Sequence, residues 1–225
     1  MPDTASTNLQ SLSGLAALVR ACTNCDLAAG RTNAVPGDGS QNSGVMFIGE
    51  APGFHEDQQG RPFVGRAGQL LDELLATVPL RRKDVYITNV IKCRPPANRD
   101  PLPQEVAACK PYLESQISLL NPKVIVTLGR HSLMRFFPDA RISREHGRIM
   151  RWHDRIVFPL YHPAAALRST TLRATLESDI RRIPEALLAS LRGGQATGVS
   201  ESEPAYEADD EPGPDEVREK QLSLF

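Results

Sequence analysis

Two sets of side chains in this sequence have chemistry to offer. The first is thiol. Cys22-x2-Cys25 is followed by Cys93 and, after fifteen intervening residues, by Cys109, and these four are the chain's whole complement of cysteine. In a reducing compartment there is little reason for two disulfides. Four thiolates suit a zinc site or an iron–sulfur cluster, with buried structural thiols as the plain alternative. Spacing does not choose among them. Either metal would staple the N-terminal segment to the middle of the chain. The second set is Glu50, Phe63, Asn89 and His162. Three of these follow or end apolar runs, and Phe63 sits in the loop-like stretch Gly60-Arg61-Pro62-Phe63-Val64-Gly65, where it either plugs the core or forms a stacking platform. Gathered at one edge, they would suit a neutral planar ligand. An aromatic face stacks on it, a side-chain amide reads a polar edge, and a His meets a developing oxyanion. Taken singly, each has an ordinary explanation: a solvated Glu in a turn, a strand-end cap for Asn89, a packed His before Pro163.

Those side chains need a sheet to bring them together. Val45–Ile48 is a short apolar run of the kind a buried parallel strand needs, ending at Gly49 before the turn Glu50-Ala51-Pro52-Gly53. Val85–Ile91 is a second strand and leads into Lys92-Cys93-Arg94-Pro95-Pro96. Lys123–Leu128 is a third, and Ile149–Trp152 and Ile156–Leu160 follow. Between them, apolar residues at helical spacing predict helices over 9–21, 66–78, 104–120 and 131–137. A closing helix over 171–191 should be kinked or divided by Pro184. Residues 26–44 read as loop with a turn at 36–39, and 54–59 as polar loop. Strand–helix alternation predicts an α/β/α three-layer sandwich around a mainly parallel sheet. Parallel strands would deliver Glu50, Asn89 and His162 to one crevice.

Composition sets the limits. With 225 residues and 40% apolar content, one domain with a sizeable core is expected, occupying residues 9–192 after a flexible start at 1–8. No run of 18 apolar residues exists, and the first residues lack the basic, then apolar, pattern of a signal peptide. The expectation is a cytoplasmic, nucleoid-associated monomer. A net charge of −1 hides an asymmetry: residues 193–220 carry nine acidic and two basic side chains, net −7, which leaves +6 on the rest. That segment, poor in apolar residues, is expected to be a disordered linker. A basic body behind an acidic tail suits a polyanionic partner such as nucleic acid.

The sequence resembles the family 4 uracil-DNA glycosylases, the iron–sulfur branch of their superfamily. The resemblance spans roughly 12–190 and rests on Gly49-Glu50-Ala51-Pro52-Gly53, Gly60-Arg61-Pro62-Phe63-Val64-Gly65, Thr88-Asn89-Val90-Ile91-Lys92-Cys93-Arg94-Pro95-Pro96-Ala97-Asn98-Arg99 and His162-Pro163. It implies a uracil-DNA glycosylase-like fold and a 4Fe-4S cluster on Cys22, Cys25, Cys93 and Cys109. It implies that Phe63 stacks on a flipped uracil and Asn89 bonds its N3–H and O4. It further implies that His162 donates toward O2, that Glu50 orients water or stabilises the cationic sugar, and that the backbone at Ala51 and Pro52 contacts the base. The products would be free uracil and an abasic site in DNA. Ala51 stands where the best-known branch has a water-activating Asp, so the carboxylate task must fall to Glu50 or be largely dispensed with. Relatives usually carry a bulky residue after the His-Pro pair; here Ala164-Ala165-Ala166 intervenes, leaving Leu167 or Arg168 as the DNA wedge. The longer basic insertion of a covalently trapping branch is absent between Cys93 and Pro103, so turnover is expected.

The last five residues, Gln221-Leu222-Ser223-Leu224-Phe225, resemble the short motif that binds the bacterial sliding clamp. Gln221, Leu222, Leu224 and Phe225 would be its anchors, carried on the acidic linker.

Overall fold

Alternating side chains of the strands face two helical layers, and this alternation builds the domain. The computed structural model describes residues 11–192; the expected flexible start, the acidic linker and the terminal pentapeptide lie outside them. Strand β2 (Val45–Gly49) is buried along its whole length. Val45 and Phe47 point into one apolar cluster, Met46 and Ile48 into the other. The first cluster lies under α4 (Arg66–Leu75), α9 (Thr170–Ile180) and α10 (Ile183–Arg192). The second lies under α1 (Leu12–Ala21) and α5 (Pro103–Leu120). The expected α/β/α sandwich is therefore the observed one.

The sheet has six strands in the order β1-β3-β2-β4-β6-β5. Strands β2, β3 (Tyr86–Asn89), β4 (Val124–Leu128) and β6 (Arg155–Leu160) are parallel, while β1 (Asp38–Gly39) and β5 (Met150–Trp152) pair antiparallel at the two edges. From β2 the chain crosses to β3 on one side, then returns to β4 on the other. That reversal is a topological switch point, and ligand crevices open outside the strands' C-terminal ends there.

The closing helix is divided just before Pro184, as expected, into α9 and α10, while other elements differ from expectation for local reasons. Pro184 has no N–H to give the preceding turn, and Arg182 is instead held by a 2.9 Å bond from its N–H to Asp179 O. The 66–78 helix stops at Leu75 and the 131–137 helix is α6 (Arg130–Met134). Short helices α2 (Leu27–Gly30), α3 (Phe54–Gln59), α7 (Ile142–Glu145) and α8 (Pro163–Ala166) stand in stretches that carry no apolar period. Helix α3 is anchored by a carboxylate. Asp57, 3% exposed, accepts from Thr32 N at 2.9 Å and Asn33 N at 3.3 Å. The turn at 36–39 supplies β1.

Helix α4 is seated on the loop that carries Phe63. A Cβ on Gly68 would reach 2.9 Å from Phe63 Cα and collide with the Phe63 carbonyl. In an isolated helix Gly→Ala gains up to about 1 kcal/mol. Here Gly68→Ala should instead cost about 1–3 kcal/mol through overpacking, read as a melting temperature lowered by several degrees. A stabilised variant would show that α4 does not rest on this loop.

Candidate active site

Strand register decides which side chains meet. Gly49 pairs with Asn89 and Leu128 with Leu160. Beyond the strands the ladder continues, Val90 N to Gly49 O at 2.9 Å and Ile91 N to Glu50 O at 3.1 Å. Glu50, Asn89 and His162 therefore reach one crevice of about 420 Å³, together with Ala51, Pro52 and Phe63. This volume lies within the range of small-ligand sites.

Asn89 forms part of the crevice lining. It is 1% exposed, and its Oδ1 has no hydrogen-bond partner. An orphaned buried acceptor costs about 1–3 kcal/mol, so its presence calls for a donor that arrives from outside the fold. Gly49 makes the arrangement possible, because a Cβ there would come within 2.7 Å of the Phe63 ring and closer still to Asn89 Oδ1.

Phe63 is 6% exposed, so the ring plugs the core and turns its remaining surface to the crevice. Its backbone is left-handed, with φ 52°. Two side chains outside the expected set hold it so. Arg82 donates to Phe63 O at 3.0 Å and to Pro62 O. Glu56 accepts from Val64 N and Gly65 N, both at 2.8 Å. Nothing in the sequence flags either, because long-range backbone contacts leave no pattern along the chain.

His162 stands beside Phe63, ring centroids 5.7 Å apart and the planes inclined by 28°. Its Nδ1 accepts from Ala164 N at 3.1 Å. Burial pushes its pKa down to about 4, against a smaller opposing pull from Glu56. The imidazole is thus neutral near pH 7 with its proton on Nε2.

Glu50 meets a polar group that sequence reading passed over. Burial holds its pKa above the ordinary value, His131 opposes this, Asp100 adds to it and Arg130 opposes it. His131 Nε2 lies 3.8 Å from Glu50 Oε2 and 3.0 Å from Asp100 Oδ2. One ligand atom each of Glu50, Asp100 and His131 falls within a 4.8 Å span. Arg130 Nη2, 3.1 Å from Asp100 and 3.0 Å from His131, already brings positive charge there, so the group reads as an ion-pair network.

Of the two wedge candidates, Leu167 is half-buried against the core beneath α4, and Arg168 is exposed.

The thiols gather elsewhere. Cys22, Cys25, Cys93 and Cys109 line a single small cavity with Arg31, Lys92 and Tyr112. None forms a disulfide. N–H groups point at three of the sulfurs: Arg31 Nη1 to Cys93 at 3.0 Å, Lys92 N to Cys109 at 3.4 Å and Asn24 N to Cys22 at 3.5 Å. Among the described residues, the only three-ligand group compact enough for one ion is the Glu50 trio, so no three of these sulfurs fall within 4.8 Å of one another. A tetrahedral zinc at about 2.3 Å from each thiolate would draw them to about 3.8 Å apart. A polynuclear cluster holds its thiolates wider.

Beside that cavity lies a buried cation. Lys92 Nζ donates to Asn89 O at 2.6 Å, Gln116 Oε1 at 2.7 Å and Thr88 Oγ1 at 2.8 Å. Burial pushes its pKa down to about 7. In the sequence it reads as the polar end of a strand.

Comparison with known proteins agrees with this geometry. Residues 36–185 match the family model described as Uracil DNA glycosylase superfamily. A type-4 uracil-DNA glycosylase of Sulfurisphaera tokodaii is 48% identical over 187 residues, 79% of this chain and 85% of the relative. That of Archaeoglobus fulgidus is 46% identical over 186 residues, covering 79% and 94%. That of Thermotoga maritima is 48% identical over 170 residues, covering 73% and 88%. No helix among the described residues is long and apolar enough to cross a membrane. Matched by the family model over most of its sheet and by relatives close to half identical across most of both chains, this chain belongs to the uracil-DNA glycosylase superfamily.

Proposed function

We propose that this chain is a monofunctional uracil-DNA glycosylase in base-excision repair, hydrolysing the N-glycosidic bond of a flipped uracil in its crevice. The observation that carries the reading is the orphaned Asn89 Oδ1 beside Phe63 and His162. A uracil edge offers N3–H to an acceptor and O4 to a donor, and one side-chain amide supplies both. Cytosine offers an acceptor at N3 and a donor at C4, the reverse pattern. Phe63 gives the base a stacking wall, worth about 1–3 kcal/mol, and the backbone at Ala51 and Pro52 borders it.

As the C1′–N1 bond breaks, its electron pair passes into the base and negative charge collects on O2. His162 donates there from Nε2. A neutral donor held by Ala164 N–H needs no reorganisation, and its low pKa keeps it from losing that tautomer to protonation. Glu50 orients the water that adds to C1′ or stabilises the sugar cation. The products are free uracil and an abasic site. Of Leu167 and Arg168, exposure favours Arg168 as the side chain that reaches the DNA.

In single-turnover release from a uracil-containing oligonucleotide, His162→Ala should lower the rate about 10²–10³-fold. Asn89→Asp should lower it about 10–100-fold. Tight binding without release by the wild type would leave a non-catalytic uracil-DNA binder instead. The pH dependence has a definite sign. His162 stays neutral above about pH 4, so no limb should stand near an ordinary histidine pKa. The higher acid limb should belong to Glu50, lying above the usual carboxylate value because burial raises it, and Glu50→Gln should leave only the limb near pH 4 at which His162 gains its proton. A limb that stays at its wild-type position in Glu50→Gln would assign it elsewhere.

The donor set supports a 4Fe-4S cluster held by Cys22, Cys25, Cys93 and Cys109. Four thiols share one cavity, spread wider than a single ion needs, with N–H donors aimed at sulfur. Bound there, the cluster would cross-link α1 to α5 and to the loop after β3. Purified protein should be coloured and carry about four iron per chain, and Cys25→Ser should lose both and melt lower. One zinc per colourless chain would replace the cluster with a single ion.

The terminal pentapeptide supports a further partner, the bacterial sliding clamp. Deleting 221–225 should abolish capture by immobilised clamp while leaving uracil release from a short oligonucleotide unchanged. Undiminished capture would remove this part of the reading.

A further inference from the structure

The rim of the crevice carries an aromatic side chain with no task in the chemistry above. Phe54, first residue of α3, follows Gly53, which lines the crevice, and is 51% exposed. It is the one aromatic among the large exposed apolar side chains of the described residues. Isolated exposed leucines need no explanation, but this ring is braced. The Arg94 guanidinium lies over it, its carbon 5.1 Å from the ring centroid. His55 meets it edge-on at 5.5 Å. Arg94 is itself fixed, its Nε donating to Asn98 Oδ1 at 2.7 Å.

Asn98 lines the crevice, and it and Ala97 both hold left-handed backbone, φ 55° and 53°. Such a pair of non-glycine residues persists only where its surroundings impose it. The imposed turn sets Arg94 and Phe54 beside the crevice mouth. An open aromatic face next to a fixed guanidinium is the pairing that single-stranded nucleic acid recognises, the ring taking a base and the cation its phosphate. The basic body of the chain favours the same partner.

We propose that Phe54 and Arg94 form a second base-binding subsite on the rim, which stacks the unpaired or unstacked nucleobase adjoining the flipped nucleotide. Phe63 reads the base inside; Phe54 holds its neighbour outside and Arg94 takes the intervening phosphate. Flipping leaves a neighbour without one stacking partner, and the subsite replaces it.

The inference rests on the glycosylase reading, and its test separates the two. The probe is a single-stranded oligonucleotide carrying 2′-fluoro-arabinouridine, which resists glycosidic cleavage, with the flanking base on either side present or replaced by an abasic analogue. Wild type should lose affinity about 5- to 150-fold when the base on one side is removed. Phe54→Ala should bind the intact probe as weakly as wild type binds the truncated one, and should lose nothing further on truncation. Phe54→Trp should restore the difference. Arg94→Gln should flatten the salt dependence by about one phosphate contact. Equal sensitivity to the missing base in wild type and Phe54→Ala would overturn the subsite, as would Phe54→Ala binding the intact probe like wild type. Failure of wild type to release uracil from an ordinary substrate would instead overturn the glycosylase reading and leave the subsite's result standing.

Discussion

The missing side chain at Gly49 is the constraint on which the crevice depends. Two parallel strands end side by side there, and the space a Cβ would take is filled by Asn89 Oδ1 and the Phe63 ring. Any other residue would push the amide and the aromatic apart and reshape two walls of the crevice together. The rest of the fold serves that contact. Arg82 and Glu56 clamp the loop that presents Phe63, and α4 approaches closely enough to support it only because Gly68 also lacks a side chain.

Burial then sets the chemistry. The same desolvation that holds His162 neutral holds Glu50 above the ordinary carboxylate range, two pKa shifts of opposite direction that both favour the uncharged form. A histidine donor becomes more dependable as its pKa falls, whereas a carboxylate becomes easier to protonate. Neighbouring charges oppose both shifts, at His162 through Glu56. His131 and Arg130 stand by Glu50 and favour its charge, while Asp100 works against them. The burial that keeps His162 neutral therefore makes Glu50 the group that takes up a proton first as pH falls.

Much of this was legible along the chain, and the boundary is physical. Strands such as Val45–Ile48 declare themselves through continuous apolar character, and parallel pairing follows from the helices between them, so the convergence of Glu50, Asn89 and His162 could be derived. What could not be derived are features fixed by contacts distant in sequence. Arg82 holds a carbonyl nineteen positions away, and Asp57 holds amides about twenty-five away. Helix α3 was missed because a buried carboxylate anchors it where an apolar stripe would have been visible. Phe63 was readable as an aromatic out of place, but whether it faced core or solvent was settled only by the loop's left-handed turn.

The segment from Asn89 to Arg94 binds these features into one unit. Asn89 lines the crevice, and its carbonyl is held by Lys92 Nζ, which also engages Gln116 of α5 and Thr88. The next residue, Cys93, faces the thiol cavity under Arg31, and Arg94 then reaches the rim over Phe54. Six consecutive residues thus connect the crevice amide, a buried lysine, a thiol of the second cavity and the guanidinium on the rim. Alternation alone would not tie these together, because neighbouring side chains of an extended segment point to opposite faces. Lys92 does so by reaching back to a backbone oxygen three residues earlier. Lys92 thereby adjoins both sites, its Nζ holding the Asn89 carbonyl at 2.6 Å and its backbone N–H directed at the Cys109 sulfur at 3.4 Å.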